Sequence, residues 1–243
     1  MTGIQSIVRT LPTVEENLAL DEALLLLAEE GKAPETLRLW EARSPFVVLG
    51  RSSRYQDEVN LESAKSLSAP IFRRISGGAS VVAAQGCMFY SLVLDVRQRP
   101  ALRMLDQAHE FVMAELTEAI RPLVPSIRFD GTCDLVIGDR KVSGNAVRIG
   151  RDWLLYHGTL LLNMDLQIVD SLLKHPPREP DYRRGRPHSE FVCNLGVTQE
   201  ALTQQLVDTF QATNELNWTP DIKKRCEELV EQRYMKPDWN FQR

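Results

Sequence analysis

The sequence is poor in the features that mark several classes of protein. Its 243 residues hold four widely spaced cysteines and no Cys-x-x-Cys pair, which disfavours a cysteine zinc site and favours reduced thiols in a cytoplasmic protein. No apolar run approaches the ~20 residues that a membrane span needs, and residues 1–10 lack the apolar segment of a signal peptide. The net charge of −4 predicts no general affinity for nucleic acid or membranes.

The composition that remains is typical of a soluble globular protein. Hydrophobic residues make up 43% of the chain and charged residues 26%, and the length is sufficient for a sizeable core. No internal repeat or low-complexity segment interrupts the sequence. We therefore expect residues 1–243 to form a single domain, and we expect the protein to be a monomer.

The order of the predicted elements indicates the fold class. Thr13 and Glu16 form a predicted capping box that begins an apolar helix, which Gly31 ends. An amphipathic helix is predicted over residues 102–120, with His109 partly exposed on it. Helix, strands, helix, strands and helices in this order predict an α+β fold, with a mixed, mostly antiparallel sheet flanked by helices. The other predicted helices are 60–68, 166–173, 198–213 and 220–233, and the predicted strands are 36–41, 46–49, 70–72, 89–94, 127–129, 134–137, 141–149 and 153–163.

One stretch, Arg73-Arg74-Ile75-Ser76-Gly77-Gly78, combines two guanidinium groups with a Ser-Gly-Gly turn. Adjacent glycines allow the backbone to direct its N–H groups at a ligand without a Cβ in the way. Arginine binds carboxylate or phosphate through a fixed fork of donors. The stretch therefore predicts a place that holds an anion. Arg51, which follows a buried strand, is a further candidate contact, and a surface salt bridge is its alternative.

A second stretch joins cations to small residues. It runs Arg140-Lys141-Val142-Ser143-Gly144-Asn145-Ala146 after a tight Gly138-Asp139 turn, and His157-Gly158-Thr159 follows. On its residue type alone, His157 is best interpreted as a hydrogen-bonded core histidine. Residues 174–188 contain four prolines and four arginines, which predicts a long basic loop of the kind that is usually functional or disordered.

These blocks, taken in their order, resemble the lipoate–protein ligase family, which belongs with the biotin ligases in one catalytic-domain superfamily. A lone Arg-Arg-x-Ser-Gly-Gly would be a weak signal, but the ordered set spans residues 17–240 and is specific. The missing biotin-ligase Gly-Arg-Gly-Arg signature favours the lipoate branch. The matching pieces are Val47-Val48-Leu49-Gly50-Arg51 with Glu58-Val59-Asn60, Arg73-Arg74-x-Ser76-Gly77-Gly78, Asp134-Leu135-Val136, Arg140-Lys141-Val142-Ser143-Gly144-x-Ala146, His157-Gly158-Thr159-Leu160-Leu161 and Tyr234-x-x-Pro237-x-Trp239-Asn240.

The resemblance implies an ATP-dependent lipoate–protein ligase. Such enzymes join lipoate, or octanoate, to ATP with Mg²⁺ and then transfer the acyl group from the adenylate to a lysine of a lipoyl domain. The implied partners are the lipoyl domains of 2-oxoacid dehydrogenase E2 subunits or the glycine cleavage H protein. Many ligases continue into a small accessory domain where this chain stops, so we expect no such domain here and a separate accessory subunit as an alternative.

The resemblance also implies roles for particular residues. Lys141 would be catalytic, lying between the acyl carboxyl carbon and the α-phosphate. Arg74 would hold carboxylate or phosphate oxygens, and His157 would help to bind the nucleotide. Apolar strands would wall a tunnel for the acyl chain, and no protein side chain is assigned to a metal. The other residues expected to bind substrate or nucleotide are Arg51, Ser76, Gly77, Gly78, Ser143, Gly144, Ala146, Gly158 and Thr159.

Two alternatives stay open. An octanoyltransferase or lipoyl amidotransferase of the same fold would transfer the acyl group from acyl carrier protein or a lipoyl domain through a cysteine thioester, without ATP. Cys133, eight residues before Lys141, is its candidate nucleophile, although Cys133 stands where ligases have the asparagine of Arg-Asn-Asp. A non-catalytic lipoyl- or nucleotide-binding protein is the other alternative, because Ala83-Ala84 replaces a typical His-Asp pair. The retained Lys141 and Arg74 argue against it.

Overall fold

Two β-sheets organise the chain, and the computed structural model describes residues 3–176 and 178–243. The strands are β1 (Gln5–Val8), β2 (Thr36–Glu41), β3 (Phe46–Leu49), β4 (Ile71–Arg73), β5 (Val81–Ala83), β6 (Cys87–Asp95), β7 (Ile127–Asp130), β8 (Asp134–Ile137), β9 (Arg140–Ile149), β10 (Trp153–Leu161) and β11 (Asn214–Glu215). The helices are α1 (Val14–Glu29), α2 (Tyr55–Glu58), α3 (Leu61–Ser66), α4 (Leu105–Ile120), α5 (Gln167–Leu172), α6 (His188–Phe191), α7 (Gln199–Thr209), α8 (Pro220–Leu229) and α9 (Pro237–Asn240).

The large sheet follows the strand order β11-β1-β2-β6-β10-β9-β8-β7, and the small sheet follows β4-β3-β5. In the large sheet β1 pairs in parallel with β2 and β11, and the remaining pairings are antiparallel. In the small sheet β3 is parallel to β4 and antiparallel to β5. The predicted α+β class with a mixed, mostly antiparallel sheet is confirmed.

Strand β6 lies at the centre of the large sheet, and all nine of its residues are buried. Side chains alternate between the two faces of a strand. Accordingly, Phe89 and Val93 join a core that contains α1 and the small sheet, whereas Tyr90 and Leu92 join a second core that contains α4 and α7. Because helices cover both faces, the strand is a continuous apolar run and not an alternating one.

Helix α1 begins as the sequence predicts. The Thr13 side chain accepts from the Glu16 N–H, and the Glu16 carboxylate accepts from the Thr13 N–H at 2.8 Å. Arg38 of β2 is fully buried beneath this helix, where its guanidinium donates to Asp21 at 2.5 Å and to the Asn17 side chain at 2.6 Å. The polar residues of α1 therefore fasten the helix to the large sheet.

Several predicted boundaries are corrected. The helix predicted over 102–120 is two elements, because Met104 is extended between a 3₁₀ turn (Pro100–Arg103) and α4. His109 is buried on α4 and not partly exposed, since its Nδ1 lies 2.7 Å from the Tyr156 hydroxyl across the core. The helix predicted over 198–213 ends at Thr209, and β11 follows it. The helix predicted over 220–233 ends at Leu229 and passes into a π-helical turn.

Candidate functional site

A glycine-rich loop, residues 76–80, lies between β4 and β5 against the end of β3. The Arg51 N–H donates to the Ser76 carbonyl at 2.8 Å, and Gly50 packs so closely that an added Cβ would lie 1.8 Å from the Gly78 carbonyl oxygen. Gly78 itself has a φ of +88°, a conformation that favours glycine. Within the described residues, the N–H groups of Gly77 and Gly78 donate to no protein group, so they are available as the predicted backbone donors.

Arg74 supports this loop from beneath. Its Nε donates to the Ser76 hydroxyl at 3.1 Å, one Nη donates to the Val48 carbonyl, and the other donates to the Gly77 and Ala79 carbonyls at 2.6 and 2.9 Å. Four of the five guanidinium N–H groups are therefore used by the protein. In this arrangement Arg74 shapes the loop, and the residue also lines a cavity wall. Its binding of carboxylate or phosphate oxygens stays a prediction.

The two other arginines near this loop differ in exposure: Arg73 is buried and Arg51 is exposed. Arg73 is completely buried, and its guanidinium donates to the Gly50 and Ser53 carbonyls and to the Asn240 carbonyl. It thereby fastens the C-terminal helix α9 to the turn after β3. The Arg51 side chain is exposed and lines neither of the two cavities described below, so its predicted ligand contact has no support in this geometry.

The two parts of the second predicted stretch, residues 140–146 and 157–159, lie on the neighbouring strands β9 and β10. In the ladder Ala146 pairs with His157, and Gly144 pairs with Thr159. The pairing requires Gly158, because a Cβ there would lie 1.9 Å from the Asn145 side-chain oxygen. The small residues of both motifs therefore form one continuous surface. This surface faces the glycine-rich loop, because residues 78–81 and both strands line the same cavities.

Lys141 projects from the start of β9 toward this surface. Its Nζ lies 2.7 Å from Asp134 Oδ1, and 26% of its side chain is exposed. The other Asp134 oxygen accepts from the Tyr182 hydroxyl at 2.7 Å. Gly144 leaves room for the lysine, since a Cβ there would lie 3.1 Å from Lys141 Cε and Nζ. A segment of the basic loop thus holds the carboxylate that orients Lys141.

His157 joins β10 to the glycine-rich loop. Its Nε2 lies 2.5 Å from the Ser76 hydroxyl, which in turn accepts from Arg74 Nε. Burial lowers the pKa of His157 to about 4, with Asp21 acting in the opposite direction. The ring is consequently neutral near pH 7 and cannot neutralise a phosphate by charge. It can position Ser76 or accept and donate hydrogen bonds.

Two cavities meet at Lys141. A wide cavity of about 410 Å³ opens between the glycine-rich loop, β9 and residues 174–192. A narrow cavity of about 110 Å³ runs toward α1 and the small sheet and is lined by Leu18, Val48, Phe89, Ala146 and His157. The residues lining both cavities are Gly78, Ala79, Ser80, Val81, Lys141, Gly144, Asn145 and Thr159.

The structure adds residues to which the sequence assigned no role. Asn145 lines both cavities, accepts from the Tyr90 hydroxyl at 2.5 Å and donates to the Cys133 carbonyl at 2.7 Å. Its position inside the Ser143-Gly144-x-Ala146 block was the available signal. Glu58 lines the wide cavity and accepts from the Ser80 N–H and hydroxyl at 2.8 and 2.7 Å, which fixes the far end of the glycine-rich loop.

The basic loop over residues 174–188 packs against the β8–β9 turn, and its residue 177 lies outside the described residues. It contains a 3₁₀ turn (Asp181–Arg183). Arg186 clamps it to the β8–β9 turn, donating to the Asp139 carboxylate and carbonyl at 2.9 and 2.8 Å. Lys174, Arg178 and Arg183 of this loop line the wide cavity. The predicted ordering of this loop over a bound ligand stays a prediction.

The four thiols in the described residues show no sign of activation. Cys133 lines the wide cavity, but burial raises its pKa to about 11 and its Sγ donates to the Asn145 carbonyl. Burial also raises the pKa of Cys87, Cys193 and Cys226, and these three lie in the hydrophobic cores. A nucleophilic cysteine requires a lowered pKa, so the alternative nucleophile has no support from its surroundings.

Across residues 3–176 and 178–243, no three His, Cys, Asp or Glu side chains are grouped closely enough to hold a metal ion. Among the described helices, none combines the length and apolarity that crossing a membrane requires.

Known proteins are similar to this chain in sequence. The family model "Lipoyl protein ligase A/B catalytic domain" matches residues 13–213. The octanoyltransferase LipM of Geobacillus kaustophilus is 25% identical, over 93% of this chain and 94% of its own length. A probable lipoate-protein ligase A of Mycoplasma pneumoniae is 26% identical, over 93% of this chain and 67% of its own length.

Solved structures agree in fold. Protein Ta0514 from Thermoplasma acidophilum, solved with lipoic acid bound, superposes with a TM-score of 0.79 at 20% identity, over 99% of this chain and 100% of its own. A lipoate-protein ligase A bound with ATP gives a TM-score of 0.77 at 21% identity, over 99% of both chains. The family predicted from the motifs is confirmed: the chain belongs to the lipoyl protein ligase A/B catalytic-domain family, the enzymes that include lipoate–protein ligases and octanoyltransferases.

Proposed function

We propose that this protein is an ATP-dependent lipoate–protein ligase. The observation that carries the proposal is the position of Lys141 in the wall shared by a narrow and a wide cavity. Acyl-adenylate formation brings a carboxylate against a triphosphate, so the reaction needs a cation where the two negatively charged groups meet. A thioester route would instead need an activated thiol, and Cys133 has a raised pKa.

The narrow cavity suits an acyl chain. Leu18, Val48 and Phe89 supply apolar walls, and Ala146 leaves space beside them. Ligand cavities of this kind combine mostly apolar lining with a few polar groups that fix orientation. Of its polar groups, Lys141 and Asn145 lie at the end shared with the wide cavity, whereas Asp21, Arg74 and His157 line the narrow cavity alone. A lipoyl or octanoyl chain would therefore place its carboxylate beside Lys141.

The wide cavity has the donor set for a nucleotide. Lys174, Arg178 and Arg183 bring three cations to its wall in addition to Lys141, and Glu58, Asp134 and Glu179 bring three carboxylates. Gly78 lines this cavity and Gly77 precedes it. Their N–H groups are free of protein acceptors within the described residues, and successive N–H groups of this kind bind phosphate. These groups fit a triphosphate, and the Mg²⁺ that accompanies ATP would neutralise part of its charge.

Lys141 would act in both steps of the reaction. In the first step a carboxylate oxygen attacks the α-phosphorus, the new O–P bond replaces the bond to the β-phosphate oxygen, and pyrophosphate leaves with the electron pair. In the second step the amine of the acceptor lysine attacks the acyl carbon, loses a proton and releases AMP. The Lys141 ammonium would stabilise the charge that develops on the oxygens in each step. Asp134 would hold Lys141 in place, since the two lie 2.7 Å apart.

The similar proteins supply candidates for substrate and partner. One structural neighbour has lipoic acid bound, another has ATP bound, and a third structure pairs a bipartite ligase of Thermoplasma acidophilum with its E2 lipoyl domain. By extension we propose lipoate or octanoate with ATP as substrates here. We propose lipoyl domains, of E2 subunits or of glycine cleavage H protein, as acceptors, and a separate accessory subunit as a candidate partner.

An ATP-independent octanoyltransferase is the second candidate. It is favoured by the likeness to LipM, of which 94% is covered, and by the place of Cys133 in the wide cavity near Lys141. In such an enzyme the Cys133 sulfur would take the acyl group from acyl carrier protein. The protonated thiol and its donation to the Asn145 carbonyl argue against that role.

The test is a pyrophosphate-release assay with lipoate, octanoate and biotin offered separately, each with ATP and Mg²⁺. We expect release with lipoate or octanoate and none with biotin. A parallel assay follows acyl transfer from octanoyl carrier protein to a lipoyl domain without ATP. Transfer in the second assay alone would reverse the proposal, and lipoate binding without turnover in either would indicate a non-catalytic binding protein.

A further inference from the structure

Arg183 is a buried cation with an unused donor. Only 3% of the residue is exposed, and its Nη2 is shielded from solvent without a hydrogen-bond partner in the described structure. Two other buried side-chain nitrogens, Arg38 Nε and Trp40 Nε1, share this property. They line neither cavity, whereas Arg183 lines the wide one. A buried charged donor left unpaired costs free energy, so its persistence beside a cavity points to a ligand.

The contacts of Arg183 limit what that ligand is. Its Nε donates to the Arg186 carbonyl at 2.9 Å and lies 3.4 Å from Glu179 Oε2. The Phe191 ring covers one face of the guanidinium, with Cζ 4.8 Å from the ring centroid. The Nε side and one face are therefore occupied, and the planar Nη edge remains. That edge is the part of arginine that matches the oxygens of a phosphate.

We infer that Arg183 binds the β- and γ-phosphates of ATP and holds the pyrophosphate leaving group. The inference rests on the proposed ligase function and adds to it a residue for which the sequence motifs give no role. Lys141 lines both cavities and so serves the carboxylate and α-phosphate, whereas Arg183 lines the wide cavity alone. When the bond between the α-phosphorus and the bridging oxygen breaks, the electron pair passes to pyrophosphate, and the Arg183 charge stabilises it there.

The contact requires the segment around Arg183 to adjust, because Nη2 is shielded in this structure. Arg184, the next residue, provides a matched control. It is exposed, it lies outside both cavities, and it adopts a left-handed conformation with a φ of 54°. Arg183→Gln and Arg184→Gln therefore each remove one cation from the same short segment. Of the two residues, only Arg183 lines the cavity proposed for the nucleotide.

The experiment measures the binding of ATP, AMP, inorganic pyrophosphate and lipoate to wild-type protein, Arg183→Gln, Arg183→Lys and Arg184→Gln by calorimetry. We expect Arg183→Gln to weaken ATP and pyrophosphate binding by roughly tenfold or more, as the loss of a charge-assisted hydrogen bond does. AMP and lipoate binding should stay within about twofold, Arg183→Lys should recover part of the loss, and Arg184→Gln should match the wild type. Thermal melts show whether each variant is folded. If Arg183→Gln does not fold, the comparison of Arg183→Lys with the wild type is used instead.

The outcomes separate this inference from the proposed function. Equal ATP and pyrophosphate binding in wild type and a folded Arg183 variant would overturn the inference while leaving the ligase intact. An equal loss of AMP binding would also overturn it, because Arg183 would then face the α-phosphate or the nucleoside. If the wild type binds pyrophosphate through Arg183 but releases none from ATP with any acid, the inference stands and the ligase proposal fails. A wild type that binds neither ATP nor pyrophosphate overturns the inference.

Discussion

The two cavities that meet at Lys141 are built from different kinds of structure. The narrow cavity is walled by α1 and by residues on strands, such as Val48, Phe89 and Ala146. The wide cavity adds a wall from the loop segment 174–188, outside residue 177, whereas residues 78–80 of the glycine-rich loop line both cavities. Paired strands fix the shape of a cavity before a ligand binds. Their backbone groups are already hydrogen-bonded to one another, and the side chains on both faces are already packed. Loops instead bring charges whose position a ligand can change.

Two arginines beside these cavities, Arg74 and Arg183, differ in the same way. Arg74 lies on the sheet side, and four of its donors are bound by the protein. Arg183 lies on the loop side, and its Nη2 has no partner in the described residues. The comparison indicates that a guanidinium beside a cavity is a ligand donor only where the fold leaves its planar edge unused. Shape on the sheet side and charge on the loop side should therefore respond to different substitutions.

Replacing Lys141 by alanine removes the cation that the two cavities share. We expect acylation of the lipoyl domain to fall by at least roughly 10²–10³-fold, the range for loss of an electrostatic transition-state contact. Asp134 loses its ion pair but keeps the Tyr182 hydroxyl, so the folding cost should be on the order of 1–3 kcal/mol. Turnover and thermal melting measure the two effects. Arg140→Ala, an exposed cation outside both cavities, is the control, and unchanged turnover in Lys141→Ala would refute the assigned site.

Replacing Ala146 by leucine should fill the narrow cavity and spare the wide one. Ala146 lines the narrow cavity alone, and extra methylenes in a packed wall cost roughly 1–3 kcal/mol. We expect lipoate binding to weaken by about tenfold or more while ATP binding is retained, both measured by calorimetry. Val147→Leu is the control, since Val147 packs on the core of the opposite face. Equal weakening of both ligands would show that the two cavities are not independent.

The neutral state of His157 gives a pH prediction. Burial lowers its pKa from 6.5 to about 4, so the unfolded chain binds more protons than the folded protein between these values. The contribution of neutral His157 to stability is therefore fully present above about pH 6.5 and is lost as pH falls toward 4. Wild-type stability should decline more steeply over this window than that of His157→Gln, as measured by urea unfolding. His109 and His188, whose pKa values are also lowered, remain in both proteins, so parallel curves would contradict the assignment.

Replacing Cys133 by serine should have the smallest effect. The thiol is protonated, with a pKa raised to about 11, and its contact is a donation to the Asn145 carbonyl that a hydroxyl also makes. We expect ATP-dependent activity to stay within about threefold of the wild type and to require Mg²⁺. An ATP-independent transfer that disappears in Cys133→Ser would make Cys133 the nucleophile and would reverse the functional proposal.

Local sequence patterns predicted much of the fold. They failed where the burial of a residue depends on an element that is distant in the sequence. The capping box at Thr13 was predictable because it is a contact between residues three apart. The burial of His109 was not predictable, because its partner Tyr156 lies on a strand that is distant in sequence. The split of the predicted 102–120 helix was missed for a related reason: the apolar spacing continues through Met104, although the backbone there is extended.

The sequence by itself determined the family, the α+β class and the set of chemical groups in the site, because ordered motifs and residue types carry that information. Only the tertiary structure decided how those groups are used. It bound the Arg74 fork to carbonyls, paired Lys141 with Asp134 and left Arg183 Nη2 unpartnered within the described chain. The physical reason is that a donor's availability depends on acceptors from elements far apart in sequence. Those acceptors meet only when the sheets and loops have packed together.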